Sequence, residues 1–299
     1  MFAPNISNIV FGTICACISA TLGGSTFVLT RLILPQSDAF TLCFLRYFLM
    51  LLTLILILRP KIISAKINNK DLFLILLLGI IYFGGFPVCV AVGLSMTQAS
   101  NASLVFATMP IWTVILAFLF KIEQFTKIKQ IAVTFACLGI YFAVGNYSGS
   151  NIIQNLIGNV FVILGAIFAS VFTVFSGKFI SKYGNSTVLC MTLSSGVLAM
   201  FILMLSFGDP LTGSLNFNLV GWLSLAFLVL PGGAIMMMFW MKALQLIKPI
   251  HVSICLAFNP LSAALLGVFI LNESLKFEFY IGSLFVFVAI ILAQIKEQK

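Results

Sequence analysis

The chain has 299 residues, 62% of them hydrophobic and 8% charged, with 16 Lys and Arg against 7 Asp and Glu and a net charge of +9. So few polar side chains cannot cover a water-soluble globule of this length. Apolar runs of about 20 residues recur with short connections, the length that crosses a bilayer's hydrocarbon core; this gives an all-α polytopic membrane protein and excludes the short alternating strands of a membrane barrel. The basic residues stand singly or in small groups at the ends of apolar runs, so the net charge marks membrane topology and not nucleic-acid binding.

Ten transmembrane helices are expected, over about residues 6–30, 38–58, 71–92, 97–120, 128–145, 155–176, 186–207, 217–241, 249–271 and 277–295. The first run, from about Ile6 to Leu29, has no basic segment before it and is read as a retained span, not a cleaved leader. With a cytoplasmic N-terminus, the inner ends collect Arg59, Lys61, Lys66, Lys70, Lys121, Lys127, Lys129, Lys178, Lys182, Lys242, Lys248, Lys296 and Lys299, and the outside holds Arg31 and Lys276. That bias, and an even number of spans, predicts a multi-pass protein with both termini cytoplasmic. All seven cysteines (Cys15, Cys17, Cys43, Cys89, Cys137, Cys190 and Cys255) fall inside apolar runs, where they read as reduced apolar fillers and not as disulfides or metal ligands.

The uncharged stretch Gly145 to Gln154 divides the chain into five spans and five, giving two expected repeats, residues 1–147 and 148–299. A shift of 150 positions lays Leu94 on Leu244, Ser103 on Ser253, Ala107 on Ala257, Pro110 on Pro260, Leu116 on Leu266 and Glu123 on Glu273 without a gap. An odd number of spans per half makes the two copies cross in opposite directions, as the lysines agree: Lys242 and Lys248 precede the second copy, and the first has no charge in the matching loop. Inverted repeats that place a binding site at their interface are a common design of secondary transporters. Gly84, Gly85 and Pro87 interrupt the third span, Pro231, Gly232 and Gly233 the eighth, and Pro110 and Pro260 the fourth and ninth. Such breaks either tighten helix packing or expose backbone to a shared cavity.

All seven carboxylates (Asp38, Asp71, Glu123, Asp209, Glu273, Glu278 and Glu297) lie in loops or at span ends, so none is a proton or sodium relay inside a span. Glu123 and Glu273 are read as structural loop groups. Arg46 is the one full charge deep in a span; it either binds the carbonyls of an interrupted neighbour or docks a substrate carboxylate. His251, Cys255 and Asn259 recur every four residues in the ninth span, and Asn101, Val105 and Met109 do so in the fourth, so each row is expected on one helical face as a pathway wall. His251 is an interfacial residue or a proton carrier. Ser25, Thr26, Tyr82, Ser103, Trp112 and Trp240 complete the candidates, with Trp240 beside Lys242 also readable as an interfacial anchor. No nucleophile with a base, metal-ligand spacing or phosphate loop occurs, so neither an enzyme, a cofactor nor a metal is expected.

The glycine-rich first span (Leu22-Gly23-Gly24-Ser25-Thr26-Phe27), the second-span Phe44-Leu45-Arg46-Tyr47, and Ala-x-x-Pro twice followed by Glu (Ala107 to Pro110 with Glu123, Ala257 to Pro260 with Glu273) resemble the EamA-like transporters of the drug/metabolite transporter superfamily. The resemblance covers nearly the whole chain and implies a ten-span, five-plus-five layout. The family's usual tryptophan beside the first-span glycine is absent; Leu22 and Gly23 stand there. The same resemblance implies an inner-membrane secondary transporter, an exporter by family analogy, of a small polar or amphipathic metabolite such as an amino acid, working by alternating access. The pathway is expected to use Ser25, Thr26, Arg46, Tyr82, Asn101, Met109, Trp112, His251 and Asn259. The alternative is a sensor or assembly factor that keeps the fold without transporting. Expected partners are a small-molecule metabolite and the lipid bilayer, with a homodimer compatible with the chain and nucleic acid excluded.

Overall fold

A backbone amide in hydrocarbon finds its partner within the chain or not at all, so spans form as helices. The computed structural model describes residues 6–58, 67–120, 127–144, 152–210, 217–247, 251–252, 255–275 and 277–292. The first two spans are α1 (Ile6–Ile33), extended by a 3-10 turn at Leu34–Gln36, and α2 (Ala39–Leu58). The third is assembled from α3 (Asn69–Gly79), a π-helix (Ile80–Gly85) and α4 (Phe86–Met96). The fourth breaks between α5 (Ala99–Phe106) and α6 (Met109–Leu119), and α7 (Lys127–Val144) is the fifth. The second half has α8 (Ile152–Tyr183), α9 (Asn185–Phe207), then α10 (Leu219–Val229), a π-helix (Leu230–Ile235) and α11 (Met236–Leu246) as its eighth span. The ninth contains a 3-10 turn (Cys255–Ala257) and α12 (Phe258–Leu271), and α13 (Phe277–Leu292) is the tenth. Among the described residues, seven helical stretches are long and apolar enough to cross a membrane, and the fifth, ninth and tenth spans are shorter apolar helices.

The two halves keep a register of 150 residues in their geometry as well as their sequence. The third and eighth spans, Asn69–Met96 and Leu219–Leu246, are both 28 residues long, and their six-residue π-helices start at Ile80 and Leu230. Each begins behind an asparagine cap: the Asn68 side chain accepts from Lys70 N at 3.3 Å, and that of Asn218 from Gly221 N at 2.8 Å. The prolines differ between the copies. Pro87 follows the first π-helix, and Pro231 lies within the second. Neither can donate to the preceding turn, so both promote the same opening from different positions.

The halves interlock. α1 packs on α11 and α12 of the second half, and α8 packs reciprocally on α4, α5 and α6 of the first. Gly24 makes the first contact: a Cβ there would fall on Ser262 Oγ and the Asn259 carbonyl. At the near end of the bundle, where α1 begins, Lys182 Nζ donates to Asp71 Oδ2 at 2.7 Å and Tyr183 Oη to the same oxygen at 2.6 Å. At the far end, where α1 finishes, Gln36 Oε1 accepts from Asn218 N at 3.0 Å and Asp38 Oδ2 from Asp209 N at 3.1 Å; within the first half, an Arg31 guanidinium nitrogen donates to the Leu94 carbonyl.

Glu273 proves to be more than a loop residue. Its carboxylate leaves the second half and accepts from Ala99 N at 2.7 Å and Ser100 N at 3.1 Å, capping α5 of the first half, whose own cap residue Gln98 gives no side-chain bond. Its counterpart Glu123, like Ser253, lies outside the described residues. The expected one-faced rows also change. The fourth span turns at Ala107 and Thr108, between Val105 and Met109, and the ninth passes through 3-10 geometry between Cys255 and Ala257, because Pro110 and Pro260 donate no backbone bond. Four-residue spacing therefore does not keep either row on one continuous α-helical face.

Glu273→Ala should remove both capping bonds and lower stability by about 1 to 2 kcal/mol. A thermal midpoint of the purified protein equal to that of the wild type would contradict the cross-half cap.

Candidate functional site

Between the halves lies a cavity of two small lobes that share Thr26, Phe27, Phe86 and Met236 in their walls. The larger, about 50 Å³, is bounded by the first, third, fourth, sixth, eighth and ninth spans, with Ser19, Tyr82, Phe106, Met109, Met237, Trp240 and Asn259 on its surface. The smaller, about 40 Å³, reaches toward Thr30, Cys43, Arg46 and Tyr47. A water molecule needs roughly 10–15 Å³ of such space, and drug-sized ligands occupy about 300 Å³ or more, so the site as it stands admits a few waters.

The walls of the larger lobe pair off by the repeat. Ser19 and Ala169, Phe86 and Met236, Phe106 and Leu256, and Met109 and Asn259 all line it, and each pair is 150 positions apart. Equivalent residues of two copies meet at one cavity when it lies on the axis relating them. The side chains at those pairs differ, so a symmetric frame carries an asymmetric lining.

Arg46 is 8% exposed and donates from Nη2 to the Gly232 carbonyl, 3.0 Å away inside the second π-helix, with its guanidinium 5.0 Å from the Tyr47 ring centroid. Of the two roles open to this arginine, the bond to an interrupted neighbour is present. Its Nε has no hydrogen-bond partner among the described residues, and neither do Trp240 Nε1 and Asn259 Oδ1. Leaving a buried polar atom unpaired costs about 1 to 3 kcal/mol, so two donors and one acceptor on one cavity are groups a polar solute can satisfy. Gly23 makes room for Asn259: a Cβ there would stand 3.1 Å from Nδ2.

Aromatic rings fill the rest. Tyr82 stacks on Phe172 at 4.3 Å and on Phe86 at 5.2 Å between centroids, and its hydroxyl points at Met237 Sδ, 3.7 Å away. The hydroxyls of Ser25 and Thr26 bond back to the Leu22 and Gly23 carbonyls at 2.7 Å, so both are satisfied within α1. Thus Thr26, Tyr82, Met109 and Asn259 line the larger lobe and Arg46 the smaller. Ser25, Asn101 and Ser103 are buried within their spans, Trp112 is half-buried in α6, and His251 is exposed at the near end. Trp240, readable as an interfacial anchor from its neighbour Lys242, is 5% exposed and faces the cavity instead.

The EamA-like transporter family model matches residues 10–145 and again 156–294. The chain belongs to the EamA-like transporter family. Two matches on one chain agree with the inverted five-helix repeats, and the family makes this a multi-pass membrane transporter. An uncharacterized inner membrane transporter, YicL, of Salmonella typhimurium is 24% identical over 298 residues, 96% of each chain. An uncharacterized transporter of Clostridium kluyveri is 24% identical over 245 residues, 80% of this chain and 77% of its own. One solved crystal structure has a TM-score of 0.65 over 96% of both chains at 17% identity, a likeness of fold.

Sequence reading passed over Ser19, Phe106, Met236 and Met237. The repeat itself could have found one of them, since adding 150 to the interrupting Pro87 gives Met237.

Two substitutions separate a paired from an unpaired polar group. Arg46→Met should lower stability by about 1.5 to 3 kcal/mol, the worth of a hydrogen bond to a charged group. Asn259→Leu, which removes an acceptor without a partner at similar volume, should leave the thermal midpoint unchanged or raised. Equal losses in the two melting curves would contradict the distinction.

Proposed function

We propose that this EamA-like protein is an inner-membrane secondary transporter that exports a small polar or amphipathic metabolite, such as an amino acid, by alternating access between its two inverted repeats. The observation that carries this reading is the cavity whose walls pair off by the repeat and hold unpaired Arg46 Nε, Trp240 Nε1 and Asn259 Oδ1 among aromatic rings. The two nitrogens donate and so suit a carboxylate or another acceptor; the Asn259 oxygen accepts and suits an ammonium, amide or hydroxyl. Tyr82, Phe86, Phe106 and Trp240 suit the apolar part of an amphipathic solute.

The residues proposed to meet the solute are Thr26, Arg46, Tyr82, Met109 and Asn259, with Trp240 added. Because the resting cavity is too small for a metabolite, one end must open for binding and the other for release. Residue pairs that join the halves at the two ends, Asp71 with Lys182 and Gln36 with Asn218, are suited to open in turn. The lysine bias supports a cytoplasmic near end, and the export direction follows the family analogy.

Proteoliposomes loaded with a panel of labelled amino acids test the reading. Substrate-dependent efflux that Asn259→Leu reduces at least tenfold while the thermal midpoint holds is expected; no flux of any panel member, or full flux in Asn259→Leu, would contradict it. A separate test concerns orientation. Tyr147, outside the described residues, should face the exterior, so Tyr147→Cys on a background without reactive cysteines should label with an impermeant thiol reagent in intact cells. Resistance to that reagent, with labelling after lysis, would reverse the topology.

A further inference from the structure

A second concavity, larger than the central one, has no part in the transport reading. It is a trough of about 370 Å³ at the near end, between the beginning of α1, the beginning of α9 and α11. Its walls are Phe11, Leu189, Ile235, Met238 and Phe239, and its rim at one end is Lys242 with Ser186. Phe11 is 50% exposed, Ile235 44% and Met238 41%, so the trough opens sideways onto the surface that the hydrocarbon covers and not into the bundle.

Lys242 gives the trough a chemical polarity. It is half-buried four residues before the end of α11, about 6 Å along the helix axis at 1.5 Å per residue, the depth at which headgroups begin. Its Nζ donates to Gln245 Oε1 at 3.0 Å, and no described carboxylate lies within ion-pair distance of it. An ammonium held near hydrocarbon without a counter-charge calls for an anion. The equivalent surface of the first half lacks the cation: the position 150 residues before Lys242 is Val92, and those matching Asn185 and Ser186 are Pro35 and Gln36. The charge at the end of the trough is therefore particular to the second half.

We propose that this trough is a binding site for one anionic glycerophospholipid, its phosphate on Lys242 and an acyl chain along Phe11, Ile235 and Met238. An apolar channel open to lipid with a single unneutralised cation at its headgroup end matches an amphipathic anion, and a zwitterionic lipid offers the same chain without the net charge. The site stands independently of the transport reading, since neither its walls nor Lys242 line the central cavity.

Native mass spectrometry of the full-length protein in neutral detergent, titrated with phosphatidylglycerol and with phosphatidylcholine of matched chains, tests it. The wild type should retain phosphatidylglycerol about fivefold more tightly, the worth of one basic residue at a membrane surface. K242Q should bring the two lipids to equal retention, K242R should keep the preference, and Met238→Trp, which fills the trough and leaves the charge, should weaken retention of phosphatidylglycerol. Equal retention by the wild type, a preference that survives K242Q, or unchanged phosphatidylglycerol binding in Met238→Trp would each overturn the proposal. Loss of flux in Met238→Trp with lipid retention unchanged would assign the trough to lateral solute passage instead.

Discussion

A helix that opens inside a membrane leaves carbonyls that water cannot reach, and the bond from Arg46 Nη2 to the Gly232 oxygen lets the eighth span open beside the cavity. The arginine is itself costly at that depth. The freed carbonyl and the guanidinium thus stabilise each other, and the Tyr47 ring adds a cation–π contact. Cavity, second span and eighth span are tied together through that one residue, which lines the smaller lobe and whose Nε has no hydrogen-bond partner among the described residues.

The first half meets the same problem without a charge. Its π-helix at Ile80–Gly85 lies against α9, where Gly196 replaces the position equivalent to Arg46 and lets the two backbones close; a Cβ at Gly196 would collide with Phe83. Ser195 Oγ donates to the Leu76 carbonyl at 2.9 Å just before the opening. One copy therefore uses close packing and a hydroxyl, and the other a buried cation, to support the same helix geometry. The difference carries over to the cavity wall, where Tyr82 stands opposite Gly232 in the repeat, and Val90 opposite Trp240. Shared backbone geometry supports two interlocking halves; divergent side chains give the site its chemistry.

Most of the fold was legible because it is governed by hydrophobic length and by scarce residues. Pro110 and Pro260, Glu123 and Glu273, and the lysines at span ends are rare enough in an apolar chain that their spacing stands out, and the family match falls on both halves. The site was only partly legible. Thr26, Arg46, Tyr82, Met109 and Asn259 could be named as polar or interrupting groups in spans, but the facing of a residue depends on helix phase, and phase shifts at every π-turn and 3-10 turn. That is why the His251 to Asn259 row did not stay on one α-helical face, and why Trp240, downstream of a π-helix, turned inward. Glu273 shows a second limit: its partners are the amides of Ala99 and Ser100, and backbone donors carry no sequence signature.

Alternating access, as proposed above, requires the halves to close about the cavity at one end at a time. Spin labels at Pro35 and Leu219 report the far end, and labels at Lys70 and Ser181 the near end; all four positions are exposed. Distance distributions from pulsed electron resonance in lipid, with and without a transported solute, test it most directly. Solute should shift the two pairs in opposite directions, the far-end distance widening in the populations where the near-end distance is short. Distances that widen together, or that do not respond while solute is being transported, would contradict it.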